Sequence, residues 1–130
     1  MNINSFISSL NNAIKKKSLY VVFNYNNTNL HLCKIFFNHN FFFSYKKSIN
    51  FKTGDIYLIA YLNYFNNKCS LNSVKRISKP SLPSYNSNYK LTFKKIKTNH
   101  FFVISSSKGI VSISDANKYK IGGLLLLNAY

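Results

Sequence analysis

Ile3, Phe6, Ile7, Leu10, Ala13 and Ile14 recur at spacings of three and four residues, while Asn4, Ser5, Ser8, Asn11, Asn12 and Lys15 face the other way. That period predicts an amphipathic helix ending near Lys17, with three lysines where the negative end of the helix dipole favours cations. Residues 19–23 then read as a short strand of Val and aromatic side chains. Residues 24–29 form a turn in which Thr28 is able to cap a second helix. Leu30, Cys33 and Phe37 supply that helix with an apolar stripe, and it ends near Asn38 to Asn40. Residues 41–45 and 55–65 are expected as two strands joined by a loop carrying Lys46, Lys47, Lys52 and Gly54.

Asn66-Asn67 marks a turn and a boundary between two halves, residues 1–67 and 68–130. Beyond it, residues 71–77 read as a strand, and Lys79-Pro80-Ser81-Leu82-Pro83 cannot prolong one. Residues 89–96 fit either a strand or a short basic helical turn. Residues 101–105 and 109–112 predict a tight hairpin around Ser106 to Lys108, residues 114–119 one helical turn, and residues 124–130 a closing strand. No internal repeat is visible. The expected class is α+β: helix, strand, helix, strand, strand in the first half, and mostly antiparallel strands with short helical turns in the second.

Charge changes the picture from fold to partner. Eighteen Lys and Arg stand against two carboxylates, Asp55 and Asp115, for a formal net charge of +16 on 130 residues. Self-repulsion of that size is tolerable when a polyanion cancels it. The chain is no disordered basic tail, since 12 Phe and 10 Tyr give a core something to bury. Arg76 stands alone among lysines, and Asn fills twenty positions. Asn, Lys, Phe, Tyr and Ile share A/T-rich codons, which implies an A/T-biased genome, organellar or of a reduced bacterium. Drift toward Lys accounts for part of the charge, but not for the scarcity of Asp and Glu.

Enzymatic constellations fail in turn. Two carboxylates are too few for acid–base chemistry, and His31, His39 and His100 have no acidic neighbour in sequence. Gly122-Gly123 lacks the spacing of a dinucleotide loop. His31 and Cys33 fall on different faces of a helix, so no metal site is expected, nor any cofactor. Cys33 and Cys69 read as reduced core thiols. The longest aliphatic block, 124–127, is far too short to cross a bilayer, and the N-terminus has neither a signal-peptide core nor an Arg-rich presequence. A protein working in an organelle would then be made there. Ser105-Ser106-Ser107-Lys108-Gly109 is different: hydroxyls that donate and accept, with a lysine, at a hairpin tip suit the shallow RNA minor groove and its 2′-hydroxyls.

At this point the chain resembles a family. Arg76-Ile77-Ser78-Lys79-Pro80-Ser81-Leu82, followed by Tyr85, looks like the Arg-Val-Ser-Arg-Pro-Gly segment of bacterial small-subunit ribosomal protein eight. The stretch 103–111, Val-Ile-Ser-Ser-Ser-Lys-Gly-Ile-Val, resembles its Ser-Thr-Ser-x-Gly signature. Gly122-Gly123 and an apolar closing strand match the family's ending. The first half fits more loosely, with Asn12 where the family has Arg-Asn and a strand at 57–65.

The resemblance implies a structural, non-enzymatic protein that binds the central domain of small-subunit rRNA, mainly through the second half. Its implied neighbours are the fifth and seventeenth small-subunit proteins. Carried over residue by residue, Ser105, Ser106 and Ser107 would contact sugar and base edges, with Lys108 near phosphate and Gly109 in the turn. Lys79, Ser81 and Tyr85 would line the adjoining surface. Gly122 and Gly123 would allow close backbone approach. Thr28 and Asn29 match a weaker basic contact. Ser106 stands for the family's Thr, Ser81 for its Gly, and Leu124 for the acid after the paired glycines; the family's basic residue near Asn117 is absent. Such divergence points to a mitochondrial ribosome, with a plastid or an A/T-rich bacterium as the alternative. A competing class, a basic peripheral protein on an anionic membrane, wants lysines on the polar face of an amphipathic helix, and the first helix has Asn and Ser there instead.

Overall fold

A computed structural model describes residues 3–77, 85–86 and 101–129, so the expectations for Lys79, Ser81, His100 and the segment 89–96 lie outside the described residues. The chain divides into two compact units, Met1–Asn72 and Ser73–Tyr130. The division thus falls after Asn72 rather than after Asn67. Asn66 and Asn67 have φ of 52° and 65°. They are the two left-handed positions of a tight hairpin between β4 (Tyr64–Phe65) and β5 (Lys68–Cys69). This turn belongs to the first unit, and Ser70 N–H donates to the Asn63 carbonyl at 2.9 Å to close it.

In the first unit α1 (Ile3–Lys15) buries Ile3, Phe6, Ile7, Leu10 and Ala13, as its period requires. β1 (Tyr20–Asn24), β2 (Phe42–Ile49) and β3 (Ile56–Leu62) form an antiparallel sheet in the order β1-β3-β2. Alternation sends Val21, Phe23, Leu58, Ala60 and Leu62 inward. There they meet α1 and α2 (Asn27–Asn38), which both pack on strands of the sheet. Aromatic rings lock the layer: Phe6 stacks on Phe23 with centroids 4.2 Å apart, and Phe36 sits edge-on to Phe42 at 5.3 Å.

Three expectations for this unit need correction. The cap of α2 is Asn26, not Thr28: Asn26 is extended at φ −155°, and its side-chain oxygen accepts the Asn29 N–H at 2.7 Å. Lys46 and Lys47 lie on β2, an edge strand where charge deters further pairing, and not in a loop. The long strand expected over 55–65 stops at Leu62. Asn63 turns aside there, its N–H donating to the Phe41 carbonyl at 3.3 Å and its side-chain amide to the Asn40 carbonyl at 2.9 Å.

In the second unit β6 (Val74–Arg76), β7 (Tyr85–Asn86), β8 (Phe101–Ser106), β9 (Gly109–Ser112) and β10 (Gly123–Ala129) form one antiparallel sheet. β10 is central. One side pairs with β8; the other pairs with β7 at Gly123 and Leu124 and with β6 at 127–129. α3 (Ile113–Tyr119) follows β9 directly, because buried Ser112 caps it by accepting the Asp115 N–H at 3.3 Å. Ile113 and Ala116 of α3 join Phe102, Ile104 and Leu125 in the core, with Ile77, Val111 and Ile121 packed around them. The fold is α+β.

Candidate nucleic-acid interface

The register of β10 gathers residues scattered through the second half. Leu124 lies opposite Tyr85 on one side and Ser105 on the other, and Ser105 lies opposite Ile110. Tyr85, Leu124, Ser105 and Ile110 therefore form one row across four strands. At 4.7–4.9 Å per strand, Tyr85 and Ser105 are about 9–10 Å apart in backbone. The next row runs Asn86, Gly123 on β10, with Ser106 opposite Gly109 on the hairpin beside them. Ile104, Leu125 and Val111 form the row that faces the core and α3. Alternation sends Leu124, Ser105 and Ile110 to the opposite face. The serines thus divide between two faces: Ser105 away from α3, Ser106 toward it.

Ser106 also has a structural duty that its hydroxyl chemistry alone did not reveal. Its Oγ–H donates to the Gly109 carbonyl at 3.0 Å, and its oxygen accepts the Lys108 N–H at 3.2 Å. The two-residue tip, Ser107-Lys108, is stapled from beneath, and both tip side chains are exposed. Gly109 accommodates the turn at φ +100°, a value a side chain disfavours.

Gly123 is constrained by space instead. A Cβ there would overlap the Ser105 carbonyl oxygen and stand 3.2 Å from Ser106 Cα. The hairpin backbone rests directly on the glycine. Gly122, half-buried, leads into that position.

Lysine surrounds this end of the sheet. Lys108 Nζ lies 5.1 Å from the centroid of the Tyr119 ring, and Lys118 Nζ lies 5.9 Å from it. Tyr119 follows the hairpin tip by eleven positions, and no spacing rule links the two; packing of α3 on β8 and β9 brings it there. Asp115 is the sole carboxylate of the second unit's sequence. Thr28 and Asn29 belong to the first unit. Thr28 is half-buried, while Asn29 is buried and its amide donates to the Asn24 carbonyl at 2.8 Å, which holds the entry to α2.

Titratable chemistry is sparse. Burial pushes the Cys33 thiol up to about 12 and raises Cys69 as well, so both are protonated near neutrality. His31 is exposed on the same helix that buries Cys33. Among the described residues no three His, Cys, Asp or Glu side chains come together as a metal cluster would require.

A folded α+β body with a stapled hydroxyl hairpin, a close-packed glycine beneath it and almost no acid is of the polyanion-binding class. Comparison with known sequences makes this specific. The family described as Ribosomal protein S8 matches residues 2–130, and the chain belongs to that family. Similar proteins include the small ribosomal subunit protein uS8 of Azobacteroides pseudotrichonymphae genomovar. CFP2, 29% identical over 128 residues that cover 98% of this chain and 97% of that one. The uS8 protein of a Wolbachia from Brugia malayi is 29% identical over 131 residues, covering 98% and 95%. Small ribosomal subunit protein uS8m of Acanthamoeba castellanii is 39% identical over 67 residues, 51% of this chain and 53% of that one. The chain is accordingly a constituent of the small ribosomal subunit, a ribonucleoprotein component of translation of a structural rather than catalytic kind.

Proposed function

We propose that the chain binds the central domain of small-subunit rRNA through its second half and helps that domain assemble. The observation that carries this reading is the single end of the sheet at which Tyr85, Gly123, Ser105, Ser106 and Gly109 meet. Ser105 and Ser107 offer hydroxyls to 2′-hydroxyls and base edges, Ser106 holds the turn that presents them, and Lys108 meets phosphate. The family resemblance adds Lys79, Ser81 and Gly122 as contacts of the second unit and Thr28 and Asn29 as a separate, weaker contact of the first. Leu124, between Tyr85 and Ser105, puts an apolar side chain where the family carries an acid; discrimination among RNAs then rests more on the hydroxyls. The adjoining partners are the fifth and seventeenth small-subunit proteins, and the ribosome is mitochondrial, in keeping with the partial uS8m similarity and with a composition rich in residues of A/T-rich codons. The membrane alternative is disfavoured because α1 spends its apolar face on the core and shows Asn4, Ser5 and Ser8 to solvent.

Binding of the full chain to a central-domain rRNA fragment tests this. Ser105→Ala with Ser107→Ala should weaken binding by about tenfold, as the loss of one to two net hydrogen bonds implies, with an unchanged melting temperature. Ser106→Thr, which keeps the staple, should bind as the parent does. Wild-type affinity in the double alanine variant would remove the hydroxyls from the interface.

A further inference from the structure

Two lysines from different elements converge on one tyrosine. Lys108 comes from the β8–β9 tip and Lys118 from the last turn of α3, and each ammonium lies within 6 Å of the Tyr119 centroid, at 5.1 and 5.9 Å. The ring is 54% exposed. Both supports are fixed. The Ser106 staple sets the tip that carries Lys108. Ser112 fixes the start of α3, and the Ile121 N–H donates to the Ala116 carbonyl at 3.0 Å to fix its end. Ile113 and Ala116 hold its inner face in the core.

Each cation gains only a modest attraction from an exposed aromatic face. The arrangement gains little in the free protein. A phosphate reached by both ammonium groups adds two charge attractions, and the ring keeps both from dispersing into solvent. Lys118 alone would be accounted for by its favourable place at a helix C-terminus; the convergence of Lys108 from another element would not.

We propose that Lys108, Lys118 and Tyr119 form a phosphodiester-binding clamp, with Tyr119 as the residue that positions the two ammonium groups. The clamp rests on rRNA binding by the second unit, and it adds to that binding a backbone contact on the α3 side of the hairpin. Its ligand is a phosphate of the RNA chain, read for charge and not for sequence.

The test is equilibrium binding of the full chain to the central-domain rRNA fragment across a salt series, with circular dichroism melts of each variant. Each lost phosphate contact lowers the slope of log K against log salt by roughly 0.7–0.9. Tyr119→Leu should lower the slope by roughly 0.7–0.9, the loss of one phosphate contact, and leave the melt unchanged, whereas Tyr119→Phe, which keeps the ring, should match the parent. Lys108→Gln and Lys118→Gln should each lower it, by roughly 0.7–0.9 when combined, and in the doubly substituted background Tyr119→Leu should have no further effect. Parent-like slopes for Tyr119→Leu, or equal losses for Leu and Phe, would overturn the clamp while leaving rRNA binding intact. A parent chain that binds no rRNA overturns the functional reading and the clamp together.

Discussion

Consider Gly123→Ala. The added methyl enters space held by the Ser105 carbonyl oxygen, with the Ser105 carbonyl carbon at 3.1 Å and Ser106 Cα at 3.2 Å. All are backbone atoms, so no rotamer change relieves the overlap. Ordinary contact requires β8 and β10 to part by roughly an ångström at this point. Such overpacking costs about 1–3 kcal/mol, offset by up to about 1 kcal/mol because alanine restricts the unfolded chain. The net loss is about 1–2 kcal/mol, a melting temperature lower by roughly 4–8 °C for a chain of this size. The same displacement moves Ser105 and the tip, so affinity for the rRNA fragment should fall by tenfold or more, about 1.4 kcal/mol per decade. Gly54→Ala is the control. Gly54 has φ +76°, a Cβ there would meet nothing within 4 Å, and the residue lies in the β2–β3 loop. Its substitution strains the backbone by about 1–2 kcal/mol and should leave RNA affinity unchanged. Thermal melts and filter binding on both variants decide the matter. A Gly123→Ala protein with parental melting and affinity, or equal affinity losses in both variants, would refute the close-packing argument.

Other expectations follow from local geometry. Asn26→Ala removes the cap of α2 and should cost about 1 kcal/mol in urea unfolding, whereas Thr28→Ala should stay within about 0.5 kcal/mol. Lys17 ends α1 at φ 54°, with Ser18 N–H donating to the Ala13 carbonyl at 2.9 Å. Lys17→Gly should therefore stabilise by about 0.5–1 kcal/mol, and Asn40→Gly at φ 64° by less, because asparagine tolerates that region better. A thiol reagent should label half-buried Cys69 before buried Cys33. Cys33 is neutral in the folded chain up to about 12, while the unfolded thiol ionises near 8.5. The unfolded state loses its proton first, so stability is full below that lower value and falls as pH rises toward 12, by up to about 1.4 kcal/mol per unit. Cys33→Ala should flatten this part of the pH profile.

Local signals carried much of the architecture. The three- and four-residue spacing of Ile3 to Ile14 specified α1, and the Ser-Lys-Gly run between apolar blocks specified the β8–β9 hairpin. Where expectation and structure part, a long-range interaction decided. Nothing near Asn63 in sequence announces that Phe41 and Asn40 will draw it out of β3. Thr28 and Asn26 are both competent caps, and the choice fell to Asn26 because the chain is still extended there when it leaves β1. Asn66-Asn67 was legible as a turn, yet a turn signal does not distinguish a hairpin within a unit from a border between units. In the site, the hydroxyl run was visible, but its division between two faces needed the register of β10, and Tyr119 needed the packing of α3.

The glycines of the second unit carry an argument that goes beyond their own positions. The chain holds only four glycines among twenty asparagines. Glycine codons are rich in G and C, so an A/T bias removes glycine wherever another residue suffices. The ends of the three helices among the described residues illustrate this: Lys17, Asn40 and Lys120 occupy the left-handed position at φ 54°, 64° and 55°, where glycine is the common choice. Lys17 and Lys120 each accept a cost of about 1 kcal/mol, and Asn40 less. Glycine is present in the β2–β3 loop at Gly54 (φ +76°), at Gly109, where φ is +100° and lies outside the usual left-handed well, and at Gly123, where backbone fills the space of a Cβ. Lysine or asparagine stands at these helix stops, whereas glycine stands under and beside the Ser106 staple. Stability alone is a weak reason for the difference, since the helix stops also cost stability. A requirement on the position of the hairpin is stronger, because about an ångström at Ser105 is comparable to the tolerance of a hydrogen bond to RNA.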